Sequence, residues 1–233
     1  MGIKIFSRWE MSESYSRKKG CKDVFNEFLV SNAIYTESIE IPRLAPTFDI
    51  PYSVISFRKA MAKSGRRDYG SWVHFYLHDW EFESIWRHAK RYLNRLKKYQ
   101  GVILPDFSVF RDMPYVMQQW NIYRSRAIGN WLQHNGVRII PNIRYADSRT
   151  YPVSCLGIEE GCVIAFGSLG NIKNKKNREF FLAGFDYAVK KLRPSAVIIY
   201  GSAPDRYFGK YKDAGLKIIS FESEFAISHK EVM

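Results

Sequence analysis

The chain has 233 residues, and Lys plus Arg outnumber Asp plus Glu by 36 to 23, for a formal charge of +13. At ~100–200 residues per domain this is one large domain, or one domain with an appendage, long enough to hold a core without disulfide or metal. With 46% apolar and 16% aromatic residues it is not a disordered chain, and it lacks both the ~18-residue apolar run of a membrane span and a signal-peptide core.

In chain order, residues 1–38 read as a helical and irregular N-terminal extension with a helix near Lys22–Ser31. Residues 39–233 read as a single α/β domain. Ile39–Leu44 is a candidate strand, and Pro42, Pro46 and Pro51 keep its surroundings irregular. From Ser71 onward, short apolar runs alternate with amphipathic stretches. The runs are Trp72–Leu77, Val102–Leu104, Val137–Ile140, Cys162–Phe166, Ala196–Tyr200 and Leu216–Phe221. They are continuous rather than alternating, as strands covered on both faces should be.

Three helices lie between them. In Phe82–Tyr99, the residues Phe82, Ile85, Trp86, Ala89, Tyr92, Leu93 and Leu96 share a face, and Arg87, Lys90, Arg91, Arg95, Lys97 and Lys98 take most of the rest. The second runs from about Met113 to Gln133, with Asp112 as its N-cap and Gly136 beyond its end. Arg124 falls in its apolar stripe and Arg126 outside it. A guanidinium in that stripe must snorkel or pair, and a partner among Asp79, Asp106 and Asp112 is expected. The third is Asn177–Leu192, closed by basic residues and Pro194. Strand–helix alternation of this kind predicts a mostly parallel sheet, TIM-barrel-like or an incomplete (β/α) barrel.

Such a sheet carries its site at the carboxyl ends of the strands. Asp79, Asp106 with Ser108, Asn142 with Arg144, Ser168, Ser202 and Glu222 follow successive runs. Asp79, Asp106 and Glu222 are the candidate catalytic residues. They could hold a divalent cation or divide acid and base roles. His74 and His78 are too few for a zinc site and read as packing. Ser108, Arg124, Asn142, Arg144, Ser168, Lys173 and Ser202 are the candidate ligand-binding residues. The glycine- and lysine-rich segment 167–178 precedes a helix, a setting that can cradle phosphate, although it matches no dinucleotide or P-loop pattern.

Cys21, Cys155 and Cys162 form no C-x-x-C pair, which argues for a reducing cytoplasm and against a disulfide framework. The cations are dispersed: Arg17, Lys18, Lys19 and Lys22; Arg66 and Arg67; a stripe from Arg87 to Lys98; Lys173, Lys175 and Lys176. A charge of this sign favours polyanions, and nucleic acid is the commonest of them in a cytosol.

Several motifs carry a family resemblance. They are His78-Asp-Trp-Glu-Phe-Glu-Ser-Ile-Trp86, Pro105-Asp-Phe-Ser108 with Asp112-Met-Pro114, and Trp120-Asn-Ile-Tyr-Arg-Ser-Arg126. Gly136 with Ile140-Pro141, Phe181 to Gly184 and Tyr200-Gly201 extend them. Over roughly residues 40–222 the chain resembles domain of unknown function 4417, a family of phages, prophages and bacterial mobile elements. The resemblance implies a mobile-element setting in a bacterial host cell and brings no assigned reaction. Three functions stay open: binding of a nucleotide or nucleic-acid strand at the strand ends, metal-dependent hydrolysis of a phosphodiester or nucleotide there, and interaction with a host protein.

Overall fold

The computed structural model describes residue 23 and residues 25–64 and 67–231. Arg17, Lys18, Lys19, Cys21, Lys22 and Arg66 lie outside the described residues, as does most of the 1–38 extension. The helix expected near Lys22–Ser31 is, in its described part, a single 3₁₀ turn at Glu27–Leu29. Leu29, Val30 and Ala33 sink into the same core as the strands that follow.

The elements run β1 (Val54–Ser56), α1 (Phe57–Ala60), β2 (Trp72–His74), α2 (Asp79–Phe82), α3 (Ser84–Arg87), α4 (Ala89–Leu96) and β3 (Gly101–Ile103). Then come α5 (Tyr115–His134), β4 (Ile139–Ile140), α6 (Tyr151–Cys155), β5 (Val163–Gly167), α7 (Lys175–Leu192), β6 (Ala196–Tyr200), α8 (Asp205–Asp213), β7 (Lys217–Phe221) and α9 (Glu224–Glu231). All strand pairings between named strands are parallel, in two sheets ordered β1-β2-β3-β4 and β5-β6-β7. A parallel bridge between Asn142 and Ala165 joins the sheets just past β4. There the Ile143 N–H donates to the Ala165 carbonyl and the Ala165 N–H to the Pro141 carbonyl, each at 2.8 Å.

No TIM-barrel-like ring closes: among the described residues β1 and β7 are not paired. Closure needs a continuous staggered ladder. Among the described residues there are seven strands, and β4 contributes only two residues. One face of every strand nonetheless points into a shared apolar layer containing Val54, Trp72, Tyr76, Ile103, Ile140, Ala165, Ile198, Tyr200 and Phe221. The other faces pack on helices in two clusters, one for β1–β4 and one for β5–β7. Covering on both sides explains why the strands read as unbroken apolar runs.

Three expectations need correction. Ile39–Leu44 forms no strand and only brackets an isolated antiparallel bridge between Tyr35 and Pro42, while the first strand is Val54–Ser56. The helix expected over Phe82–Tyr99 is three short helices, broken where His88 leaves helical geometry (φ −142°, ψ 42°). The bend keeps Phe82, Ile85, Trp86, Ala89 and Leu96 in one core. Arg126, placed outside the apolar stripe, is 1% exposed. Its Nη1 donates to the Asn142 carbonyl (3.1 Å), Nη2 to Ser154 (2.7 Å) and Nε to Leu156 (3.4 Å). Burial without a carboxylate partner lowers its pKa to about 10. Among the described residues, no helix is long and apolar enough to cross a membrane.

Arg126 thus ties α5 to the strand junction and to α6. Replacing it with Ala strands buried carbonyls at ~1–3 kcal/mol each and leaves a cavity. Urea titration of Arg126→Ala is expected to show a loss of at least about 3 kcal/mol. A loss below about 1 kcal/mol would mean that water takes over the guanidinium's role.

Candidate functional site

His74, at the end of β2, and Tyr76, just beyond it, are both buried on the same side as Trp72 and Tyr200. The Tyr76 ring stacks on Tyr200 of β6 (4.9 Å between centroids, 10° between planes). His74 lies against both rings, 4.2 Å from Tyr200 and 5.6 Å from Tyr76. The Tyr76 N–H donates to His74 Nδ1 (3.2 Å), so that nitrogen carries no proton. Burial pushes the His74 pKa down to about 3 and the Tyr76 phenol well above its ordinary value. Gly167 makes room for this stack, since a Cβ there would stand 2.8 Å from the Tyr76 ring.

A polar chain leaves the stack toward the strand ends. Tyr76 OH donates to Asn142 Oδ1 (3.0 Å), and Asn142 Nδ2 donates to Asp106 Oδ1 (2.7 Å). Arg144 Nη1 meets Asp106 Oδ2 at 3.5 Å. Burial raises the Asp106 pKa, opposed by the Arg144 charge and the Asn142 hydrogen bond. At the other end, the Glu224 N–H donates to Tyr200 OH (3.1 Å). Burial would raise the Glu224 carboxyl, but the Ser56 hydroxyl and Lys59 outweigh it and hold it below its usual value.

Arg144 also faces a cavity of about 490 Å³ at the carboxyl ends of β3, β4 and β5. Arg111, Asp112, Gly167, Gly170, Asn171, Asn177 and Phe180 share the lining. Arg111 Nη2 donates to Asn177 Oδ1 in the first turn of α7 (3.0 Å), and its guanidinium lies over Phe180 at 4.5 Å. The Arg144 Nε is buried and has no hydrogen-bond partner among the described residues. Two guanidiniums, two asparagines, the Asp112 carboxylate and the start of an 18-residue helix thus face one hollow. Such a set suits an anion with several oxygens.

The sequence-selected residues divide. Asp106, Asn142 and Arg144 come together, and Arg144 reaches the cavity. Asp79 is engaged elsewhere: it accepts from Ser108 N–H (3.1 Å) and Oγ (2.8 Å), fixing the loop after β3. Ser168 is buried, and its hydroxyl donates to the Ser202 carbonyl (2.9 Å), clipping two loops together; the Ser202 side chain is exposed. Lys173 and Glu222 are exposed and do not line the cavity.

Arg124 pairs with none of Asp79, Asp106 and Asp112. Its Nη1 donates to both Glu83 oxygens at 2.9 Å, Nη2 to Asn121 (2.7 Å), and the guanidinium lies over Phe107 at 3.8 Å. Glu83 sits at the α2–α3 joint, and that joint brings it onto α5. Asp112 is no N-cap either: α5 begins at Tyr115 behind Pro114, and Asp112 lines the cavity. Among the described residues, no group of three His, Cys, Asp or Glu side chains is placed to hold a metal ion. Cys155 and Cys162 are buried free thiols.

Sequence reasoning missed Arg111, Tyr76, Tyr200 and Glu224, and held Asn177 only as part of the 167–178 segment. The tyrosines could have been found from strand parity, because Tyr76 and Tyr200 fall on the inner face of their runs. Arg111 offered no such signal, since its role depends on a loop path.

Residues 33–222 match the family described as Domain of unknown function (DUF4417). The chain is 30% identical over 190 residues to the Gene 1 protein of Mycobacterium phage D29, covering 82% of this chain and 70% of that protein. It is also 30% identical to the Gene 1 protein of Mycobacterium phage L5, covering 82% of each. No solved structure matches it.

The buried His74 has a consequence for acid stability. An unfolded imidazole titrates near ~6.5, and the folded one near 3. Between those values the unfolded chain binds the extra proton, so stability present at neutral pH is lost as pH falls below about 6.5. The expected loss is roughly 2–3 kcal/mol by about pH 4.5. Denaturant titrations from pH 7 to 4.5 should show a flatter profile for His74→Phe than for the parent. Parallel profiles would show that the ring is already solvated.

Proposed function

The chain belongs to the DUF4417 family, and on that footing we propose that it binds a phosphate-bearing ligand, a nucleotide or the end of a nucleic-acid strand. The site is the cavity at the carboxyl ends of β3, β4 and β5, on a curled parallel scaffold of the incomplete (β/α)-barrel kind. One observation carries this reading: Arg111 and Arg144 face the same cavity, and the only carboxylate within ion-pairing distance of either, among the described residues, is Asp106. Guanidinium groups suit phosphate because their planar forks donate to two oxygens at once. The exposed basic residues Lys173, Lys175 and Lys176 stand before and at the start of α7 and add long-range attraction. Phe110 and Leu169 are exposed beside the cavity and offer apolar surface to a base. The setting is a bacterial host cytoplasm, in keeping with the mycobacteriophage relatives.

Metal-dependent hydrolysis in this cavity is the less supported reading. Asp79 is committed to Ser108, and Asp106 to Asn142 and Arg144. A host-protein partner has its own supporting feature, an apolar groove lined by Phe25, Ile39, Val116 and Trp120, all of them exposed.

Calorimetric titration with a nucleoside 5′-monophosphate and a 5′-phosphorylated oligonucleotide tests the proposal. Arg111→Gln and Arg144→Gln are each expected to weaken binding tenfold or more. Equal affinity for the unphosphorylated nucleoside, or no change in either variant, would overturn it.

A further inference from the structure

A second surface, away from the cavity, is crowded with cations. No Asp or Glu occurs between Glu83 and Asp106, while Arg87, Lys90, Arg91, Arg95, Lys97 and Lys98 fall in that interval. Helix α4 turns Ala89 and Leu96 into the core, with Tyr92 and Leu93 packed against it. Lys90, Arg91, Lys97 and Lys98 are left exposed on and just beyond its outer side. None of these four has a carboxylate partner among the described residues. Lys90 Nζ instead sits over the Phe28 ring at 4.3 Å, and Lys98 Nζ over Tyr69 at 6.0 Å.

The neighbouring turn adds to the charge. Arg95 Nη1 donates to the Met61 carbonyl (2.7 Å), and Arg67 Nη2 to the carbonyls of Ala62 (3.0 Å) and Lys63 (3.1 Å). Two guanidiniums therefore converge on one turn that also bears the exposed Lys63, held by carbonyls that bring no negative charge. On and just beyond α7 and on α8, by contrast, exposed cations are paired with acids: Lys190 with Asp186, Arg193 with Glu160 and Lys212 with Asp205. Asp23 and Glu27 border the same groove as Lys90 and Arg91, but cations still outnumber acids along this side, and crowding like charges costs repulsion that a bound polyanion removes.

We propose that the outer side of α4, with the adjoining 61–63 turn, is a docking surface for the phosphate backbone of a nucleic acid. Eight residues of helix span about 12 Å, over which a duplex presents several phosphates. A lipid surface fits less well, because an interfacial helix binds by burying its apolar face in the membrane. The apolar face of α4 is already spent on the core. The exposed cations make a composition for backbone contact rather than base reading.

Fluorescence anisotropy with a labelled 20-base-pair duplex lacking terminal phosphates, from 50 to 300 mM salt, tests this surface independently of the cavity. The variant Lys90→Gln/Arg91→Gln/Lys97→Gln/Lys98→Gln is expected to bind at least tenfold more weakly at about 100 mM salt. The slope of log affinity against log salt should fall by roughly 3–4, near one unit per lost contact. A control with the same charge change elsewhere, Lys190→Gln/Arg193→Gln/Lys210→Gln/Lys212→Gln, should keep most of the slope. If the quadruple variant does not fold, the doubles Lys90→Gln/Arg91→Gln and Lys97→Gln/Lys98→Gln should each give about half the effect. Equal losses in variant and control would reduce the effect to net charge and overturn the proposal. So would absence of duplex binding at 50 mM salt, or retention by phosphatidylserine vesicles alone.

Discussion

The guanidinium of Arg126 holds the place where the two sheets meet. Its Nη1 binds the carbonyl of Asn142, and Asn142 is the residue whose backbone bridges to Ala165. Its remaining donors reach the carbonyls of Ser154 and Leu156, so the longest helix, the end of β4 and the segment around α6 are fixed to one side chain. A buried cation without a carboxylate is costly, and three carbonyl dipoles offset that cost only if each stays in place. The junction is therefore intolerant of drift. This intolerance passes to the Asn142 side chain, which holds Tyr76 on one side and Asp106 on the other.

Much of the architecture was legible in residue order. β6 coincides with its apolar run, and β2, β3, β4, β5 and β7 fall within or a residue from theirs, because strands covered on both faces leave unbroken hydrophobic stretches. Val54–Ser56 escaped because three residues wedged between Pro51 and a helix start carry no periodicity. Ile39–Leu44 misled because its apolar residues face the core without any ladder. The break at His88 was invisible to a periodicity argument, since the apolar positions on either side keep helical spacing.

The site was legible by element but not by contact. Strand ends pointed to Asp106, Asn142 and Arg144, which the fold does bring into contact with one another. They could not show that Asp79 would be captured by Ser108 or that Arg124 would choose Glu83. Partner choice depends on where α2 and α3 bend, a tertiary fact. The carboxylate after β7 was a matter of parity. With Phe221 directed into the apolar layer, Glu222 faces outward, and Glu224, at the start of the next helix, is the acid that meets Ser56 and Lys59.

The aromatic stack under the cavity gives its electrostatics their character. Tyr76, Tyr200 and His74 exclude water beneath Asp106 and keep the imidazole neutral, so no cation rises from the floor to compete with the arginines. Asp106, hydrogen-bonded by Asn142 below, takes up part of the Arg144 charge and leaves the rest of that guanidinium directed at the hollow. On the proposed reading a partly neutralised arginine would discriminate by geometry as well as by charge, because an incoming anion must offer oxygens where the guanidinium N–H groups already point. The exposed row on α4 lacks any such recess and is screened by salt. On the proposed reading the two basic regions would divide the labour of recognition, the cavity selecting a shaped phosphate group and the α4 surface attracting a polyanion without regard to its sequence.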